Sequence, residues 1–350
     1  MGPQWARKFC AHPSKLSSNL RFPERLNQGG RGQLNGRVED EFIVDGATAT
    51  PFSTSMVKSS NPAWSTRPAR LILFHGLAST SREFGFLTHP LRRNGLRLQA
   101  PEVPGYSASL FDEEASWQDW VASGANCLDR LEAESPEPYV LGGLCTGAML
   151  ALAIAAQRPR AGLRGLALLS PLFSYDGWAL PWWYSLRPLA YATGITRLFS
   201  MREREPYGVR NERMRQLIRA QLAGGETSLA GPARVPLRVV RESERLSAHA
   251  RTLLSRLVHP VQVQHAREDE ICRLASVRDA VARVPTGLLS LHVLENSYHM
   301  ITADNDRHLV ADRLSAFLQG LDTYSGLSES AACAQGISSV FDVAEAATAS

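Results

Sequence analysis

Cys145 lies in a short stretch in which the spacing of small residues suits a reactive nucleophile. The stretch is Gly143-Leu144-Cys145-Thr146-Gly147, between an apolar run that starts at Tyr139 and an Ala- and Leu-rich run that ends at Gln157. This order predicts a strand, a sharp turn and a helix. Such a turn holds its central residue at strained backbone angles and leaves room only for small residues two positions away. The helix that follows points free N–H groups and its positive dipole end at the cysteine, which favours a thiolate. The alternative is a small buried cysteine that only packs.

Apolar strands and amphipathic helices alternate on both sides of this turn. Besides the strand before Cys145, the apolar runs predict strands at 69–76, 95–100, 163–170, 261–266 and 288–294. Besides the helix after Cys145, apolar spacing predicts helices at 81–94, 117–131, 276–284 and 304–318. Continuous apolar strands that alternate with helices are typical of an α/β fold with a doubly wound, mostly parallel sheet.

Residues 172–257 interrupt the alternation and predict an insertion at the position of a helical lid. Its first part contains the aromatic residues Trp178, Trp182, Trp183 and Tyr184. We expect most of these rings to form the small core of the insertion. Its middle part contains seven arginines (197, 202, 204, 210, 213, 215 and 219). Such a segment is either a solvated helix with mixed ion pairs or a surface that attracts anions.

The composition excludes several classes of protein. Hydrophobic residues make up 44% and charged residues 21% of the 350 residues, as in an ordinary globular protein. The net charge of +4 is too small to indicate a nucleic-acid partner. The absence of a long apolar run argues against a membrane span or a secretory signal. The five cysteines and nine histidines form no metal-ligand pattern, and the scattered cysteines indicate a reducing, cytoplasmic location.

The polar composition of the two ends predicts little order there. We expect residues 1–66 to be a weakly ordered N-terminal extension and residues 322–350 to be a disordered tail.

Four separate motifs resemble those of one enzyme superfamily, in that superfamily's order. They are His75-Gly76-Leu77-Ala78, Gly143-Leu-Cys-Thr-Gly147, Ala266-Arg-Glu-Asp-Glu-Ile271 and Asn296-Ser-Tyr-His-Met300. Residues 67–321 thereby resemble the α/β-hydrolases, particularly the carboxylesterase and monoacylglycerol-lipase-like branch with its serine-aminopeptidase-type domain. The resemblance implies an α/β-hydrolase fold with no cofactor and no metal.

The resemblance also implies a role for each matched residue. Cys145 is expected to attack a carbonyl, His299 to act as the base, and Asp269 to orient the imidazole. The backbone N–H groups of Leu77 and Thr146 are expected to form the oxyanion hole. His292 is a rival histidine, and Glu268 and Glu270 flank the acid, although only Asp269 has the superfamily's spacing.

The cysteine departs from the superfamily's usual serine and shapes the expected activity. The sequence predicts an acyl hydrolase, a carboxylesterase or thioesterase, with a covalent acyl-Cys145 intermediate. One alternative is an acyltransferase that uses the same intermediate, and another is a non-catalytic protein that binds a small ligand in the same place. The expected partner is a small acyl substrate, with coenzyme A or an acyl carrier protein as candidate acyl donors for the basic segment.

Overall fold

The computed structural model describes residues 69–193, 196, 199–224 and 227–321. The N-terminal extension expected at 1–66 and the tail expected at 322–350 lie outside the described residues, so both expectations stay predictions.

The described residues form strands and helices close to those indicated by the sequence. In chain order the strands are β1 (Ala69–Phe74), β2 (Leu96–Gln99), β3 (Tyr139–Leu144), β4 (Leu163–Leu169), β5 (Ser200–Arg202), β6 (Arg234–Pro236), β7 (Val261–Ala266) and β8 (Leu289–Leu294). The helices are α1 (Gly85–Arg93), α2 (Trp117–Glu134), α3 (Thr146–Gln157), α4 (Arg187–Thr193), α5 (Glu212–Ala223), α6 (Leu237–Leu253), α7 (Leu274–Val281) and α8 (307–321).

Six strands form one parallel sheet in the order β2-β1-β3-β4-β7-β8. Its central strands are continuous apolar runs because helices cover both faces of the sheet. One hydrophobic cluster joins the sheet to α2, α3, α6 and α7. A second cluster, on the other face, joins it to α1, α5 and α8. The predicted α/β class with a doubly wound, parallel sheet is confirmed.

Helix α3 lies unusually close to the sheet. A Cβ atom on Gly147 would lie 2.2 Å from the carbonyl oxygen of Phe74 in β1, and one on Gly124 of α2 would lie 2.7 Å from Ile154. These glycines, together with the alanines of α3, allow the backbones to approach one another. The turn before α3 is therefore pressed against the end of β1.

The inserted segment, residues 170–260 between β4 and β7, contains the antiparallel pair β5–β6 and helices α4, α5 and α6. Its small core consists of Tyr184, Leu237 and Val240, with Trp183 packed against them. We expected most of the four aromatic rings to lie in this core. That expectation is wrong, because Trp178 is 55% and Trp182 80% exposed. The short 3-10 helix Trp182–Leu186 turns Tyr184 inward and leaves Trp182 on its outer side.

No helix in the described part of the chain combines the length and the apolar character that a membrane crossing requires.

The contact between α3 and β1 gives a test of the fold. In Gly147→Ala the new methyl group would overlap the carbonyl oxygens of Phe74 and His75, so we expect the free energy of unfolding to fall by about 3 kcal/mol. Gly85→Ala, where nothing lies within 4 Å of the new Cβ atom, is the matched control, and we expect it to change stability by less than about 1 kcal/mol. Urea unfolding measures both. Equal effects of the two substitutions would contradict this packing.

Candidate active site

The residues expected to form a site lie at one edge of the sheet. Leu77 follows β1, Cys145 follows β3, Asp269 follows β7 and His299 follows β8. All four strands are parallel, so their carboxyl ends meet at the same edge, which is where α/β proteins place their sites. The fold therefore brings together residues that are far apart in the sequence.

Cys145 occupies the strained turn that its neighbours indicate. Its φ of 58° and ψ of −123° are rare for a residue with a side chain. A Cβ atom on Gly143 would lie 2.4 Å from the backbone of Gly147, so this turn cannot form with larger residues at either position. The N–H of Cys145 donates to the carbonyl of Leu169 at 3.0 Å, which joins the turn to β4. Strain of this kind persists only where the surroundings enforce it, and it is concentrated at functional sites.

Asp269 and His299 form a buried pair. Nδ1 of His299 lies 2.8 Å from Oδ2 of Asp269. The other carboxylate oxygen accepts the backbone N–H groups of Ile271 and Cys272, both at 2.9 Å. With its Nδ1 proton directed to Asp269, the imidazole keeps Nε2 free to accept a proton. Nε2 is buried and has no hydrogen-bond partner of good geometry among the described residues.

The charges around this pair shift the pKa values of both groups. Burial acts to raise the pKa of Asp269, but its electrostatic interactions with His299 and then with His265 and the hydrogen bonds to the carboxylate outweigh it and lower the pKa. Burial acts to lower the pKa of His299, but the charges on Asp269 and on the Cys145 sulfur raise it well above its usual value. The site therefore favours an imidazolium beside the Asp269 carboxylate.

The rival residues lie elsewhere or have other contacts. His292 lies within β8, and burial lowers the pKa of its imidazole. The exposed Glu268 lies 3.4 Å from Arg210 in an ion pair. Glu270 points into the site, but its Oε2 accepts the backbone N–H of His299, at 3.0 Å, rather than a ring nitrogen.

The two backbone N–H groups expected to form an oxyanion hole belong to the turn after β1 and to the start of α3. Leu77 belongs to the turn after β1, and Thr146 is the first residue of α3, beside Cys145. Neither N–H takes part in a hydrogen bond within the part of the chain that is described. The Thr146 hydroxyl lies 3.8 Å from the Cys145 sulfur and 2.9 Å from the hydroxyl of Ser243 in α6. Free N–H groups beside a nucleophile are the requirement for an oxyanion hole.

Residues 66–306, more than half of the chain, match the family described as serine aminopeptidase, S33. The chain belongs to this family. It is therefore a hydrolase.

Two curated proteins and one solved structure show what this S33 member is similar to. It is 22% identical to a thermostable monoacylglycerol lipase of Bacillus sp. (strain H-257), over 71% of this chain and 90% of the lipase. It is also 22% identical to a carboxylesterase of Bacillus subtilis (strain 168), over 72% of this chain and 93% of the esterase. A soluble variant of monoglyceride lipase from Saccharomyces cerevisiae, solved with a substrate analogue, shares the fold at a TM-score of 0.60 and 15% identity, over 73% of this chain and 87% of the lipase.

Sequence reasoning missed the acidic residues that support the site of this S33 member. The buried carboxylate of Asp304 accepts the backbone N–H groups of Arg210, Asn211 and Tyr298. It thereby ties the inserted segment to the loop that contains His299. Glu270 forms a similar link, because it lies in the loop that contains Asp269 and accepts the backbone N–H of His299. A carboxylate that accepts backbone N–H groups has no sequence spacing of its own, so no motif indicated these roles.

The buried Glu270 gives a test of the electrostatics. Burial and then the charge of Asp269 raise its pKa to about 7 in the folded protein, whereas the unfolded chain ionises it at a lower, ordinary pKa. Stability is therefore lost as the pH rises between these two values, and the loss is complete above the folded-state pKa. Glu270→Gln keeps an acceptor for His299 and removes this loss. We expect its gain in the free energy of unfolding to be larger at pH 8 than at pH 5, by about 2 kcal/mol.

Urea unfolding at the two pH values measures this difference. The neighbouring Glu268→Gln is the matched control, and its effect should vary little with pH because Glu268 is exposed. A gain for Glu270→Gln that is the same at both pH values would contradict the buried, protonated state.

Proposed function

We propose that this chain is an acyl hydrolase, a carboxylesterase or thioesterase, that works through a covalent acyl-Cys145 intermediate. One observation carries the proposal. A buried Asp269–His299 pair, with 2.8 Å between its hydrogen-bonded atoms, acts electrostatically on a cysteine held at a φ of 58° in a strand-to-helix turn. This combination supplies a nucleophile, a base and a group that orients the base.

Acylation is the first half of the proposed reaction. Nε2 of His299 takes the proton of the Cys145 thiol, the sulfur attacks the acyl carbon, a sulfur–carbon bond forms, and the carbonyl electron pair moves onto oxygen. The N–H groups of Leu77 and Thr146 donate to this oxyanion. The intermediate then collapses, the bond to the leaving group breaks, and Nε2 of His299 gives its proton to that group.

Deacylation reverses the roles of the same groups. Nε2 of His299 takes a proton from water, and the resulting hydroxide attacks the thioester carbon. The oxyanion forms again in the same hole, the carbon–sulfur bond breaks to release the carboxylic acid, and Nε2 returns its proton to the Cys145 sulfur. Asp269 stabilises the imidazolium in both halves without taking its proton.

The relatives support an ester as the substrate class. Two of them are named as a monoacylglycerol lipase and a carboxylesterase, and both names denote hydrolysis of carboxylic esters. The usual nucleophile of such enzymes is serine, and Cys145 occupies its position in the motif. The proposal carries the ester substrate over from the relatives and assigns the nucleophile from the geometry of this chain.

The exchange of oxygen for sulfur favours activated acyl donors. The Cys145 thiolate is a better leaving group than an alkoxide. The tetrahedral intermediate formed from an alkyl ester therefore tends to expel Cys145 and return to substrate. A thioester releases a thiolate of similar leaving ability, so its intermediate can go forward. We therefore propose that thioesters and aryl esters are better substrates than alkyl esters.

We also propose that the expected insertion, residues 172–257, serves as a lid over the acyl site. Its α6 reaches the nucleophile turn, where Ser243 contacts Thr146 and also accepts a hydrogen bond from the Tyr175 hydroxyl at 3.1 Å. The insertion therefore contributes polar groups beside Cys145.

The hydrolase proposal is tested with four variants on a p-nitrophenyl ester and an acyl-CoA thioester. We expect Cys145→Ala and His299→Ala each to lower kcat by about 1000-fold or more. Cys145→Ser should keep part of the activity on the oxygen ester and lose the preference for the thioester. Cys127→Ala, which alters a buried cysteine of α2, is the control and should stay within about 3-fold of the wild type.

Added glycerol distinguishes hydrolysis from acyl transfer, because an acyltransferase would convert the donor into a glyceryl ester. Full hydrolytic activity in Cys145→Ala would contradict the proposal.

We also propose that the acyl group comes from coenzyme A or an acyl carrier protein, bound by the arginine-rich segment 197–219. Arg210, Arg215 and Arg219 each form an ion pair with a glutamate, so part of the positive charge is already compensated. The exposed Arg213 on α5 is the arginine best suited to meet a phosphate group.

Arg213→Glu tests this donor. We expect the variant to raise the KM for an acyl-CoA thioester by about 3-fold or more, and to leave the KM for a neutral p-nitrophenyl ester unchanged. Steady-state kinetics at low and high salt measure both values, and high salt should reduce the difference. Equal changes for the two substrates would remove the proposed phosphate contact.

A further inference from the structure

We propose that Glu83 is a positioning residue of the oxyanion hole, whose carboxyl group holds the Gly76 peptide and thereby directs the Leu77 N–H at the reacting carbonyl. This inference rests on the proposed acyl-Cys145 chemistry and adds to it a residue outside the triad. Glu83 lies in the 3-10 helix Ser81–Phe84, six residues after Leu77 in the chain.

The carboxyl group of Glu83 lies directly against the oxyanion loop. Its side chain is buried, with the residue only 2% exposed, and Oε2 accepts the N–H of Gly76 at 2.7 Å. A Cβ atom on Gly76 would lie 3.1 Å from Oε1. The carboxyl group therefore rests on the open face of this glycine, and a side chain there would press on it.

The peptide held by Glu83 adjoins the one that contains the Leu77 N–H. The two peptide planes meet at the Cα atom of Gly76, and glycine is the residue least able to fix its own backbone angles. Hydrogen bonds limit the movement of both planes. The plane with the Leu77 N–H is held through the Gly76 carbonyl, which lies 2.8 Å from Nδ1 of His75, and the His75–Gly76 plane is held at both of its polar groups. Tyr106 donates to the carbonyl of His75 at 2.7 Å on one side, and Glu83 accepts from Gly76 on the other. Removing the Glu83 contact leaves the Gly76 N–H without its acceptor and loosens the His75–Gly76 peptide, to which the peptide with the Leu77 N–H is joined at Gly76.

The loop needs such a contact because it contains strain of its own. Ala78 has a φ of 51°, in the left-handed region that residues with side chains rarely occupy. The turn closes with a 3.3 Å hydrogen bond from the N–H of Ser79 to the carbonyl of Gly76. A strained turn with one long hydrogen bond holds its geometry only where neighbouring groups determine it.

The protonation of Glu83 fits this task. Burial raises its pKa to about 7, while the hydrogen bond from Gly76 and the charge of His299 act to lower it and the charge of Glu102 acts to raise it. Glu83 forms no ion pair among those found in the described residues. Below this pKa the neutral carboxyl still accepts the Gly76 N–H through its carbonyl oxygen and places no repelling charge beside a developing oxyanion. Glutamine reproduces that neutral acceptor.

Two reactions of Cys145 distinguish this role from general damage to the structure. Acylation by a p-nitrophenyl ester passes through an oxyanion, whereas alkylation by iodoacetamide is a displacement at carbon that forms none. Both reactions require Cys145 and its thiolate. The burst of p-nitrophenol measures the first rate, and intact-protein mass spectrometry measures the second.

Three variants separate the contributions of the side chain. Glu83→Ala removes the acceptor, Glu83→Met removes it while filling the volume, and Glu83→Gln keeps it. We expect the first two to slow acylation by about 10- to 100-fold while alkylation stays within about 2-fold of the wild type. Glu83→Gln should restore acylation to within about 3-fold of the wild type.

The results that would contradict the role of Glu83 differ from the result that would contradict the proposed function. Equal acylation rates in Glu83→Met and the wild type would overturn the role of Glu83, and so would a parallel fall in acylation and alkylation in Glu83→Met. A wild-type protein that is alkylated at Cys145 but never acylated by any ester or thioester would instead overturn the proposed function, and this assignment with it.

Discussion

The close contact between α3 and β1 is the constraint on which the rest of the site depends. Because Gly147 lies against the carbonyl oxygens of Phe74 and His75, the nucleophile turn and the loop after β1 are neighbours. Cys145 takes its strained φ of 58° as a consequence, and the N–H of Thr146, the first residue of α3, takes part in no hydrogen bond among the described residues. The proposed oxyanion hole and the proposed nucleophile therefore both depend on one packing contact.

Buried acidic groups surround the His299 imidazole, and their pKa values are shifted in opposite directions. Asp269 is ionised because His299, His265 and backbone N–H groups face it, and its pKa is lowered despite burial. Burial raises the pKa of Glu83 and of Glu270 to about 7, because it outweighs the charge of His299, which acts to lower both. Both accept a backbone N–H from a loop of the site. Unpaired buried carboxyl groups cost stability, and their retention at these two loops is consistent with a role in holding the geometry.

The sequence predicted the parts of this protein that have a local pattern. The continuous apolar strands and the glycines around Cys145 were visible because the physical requirement acts on neighbouring residues. Asp269 and His299 could be assigned by resemblance, and the hydrogen bond between them is a property of the fold. Glu83 could not be predicted, because its partner Gly76 is set by the loop geometry rather than by spacing. Trp182 was expected in a small core and is exposed, since an aromatic cluster does not reveal which side of a short helix faces inward.

The most direct test of the central claim is peptide mapping by mass spectrometry after brief reaction with an acyl-CoA thioester or a p-nitrophenyl ester. The proposed mechanism predicts one acyl group on the peptide that contains Cys145, absent from Cys145→Ala and slower to clear in His299→Ala, where no base activates water. Hydrolysis that proceeds with no adduct on Cys145, or with the acyl group on another side chain, would contradict it.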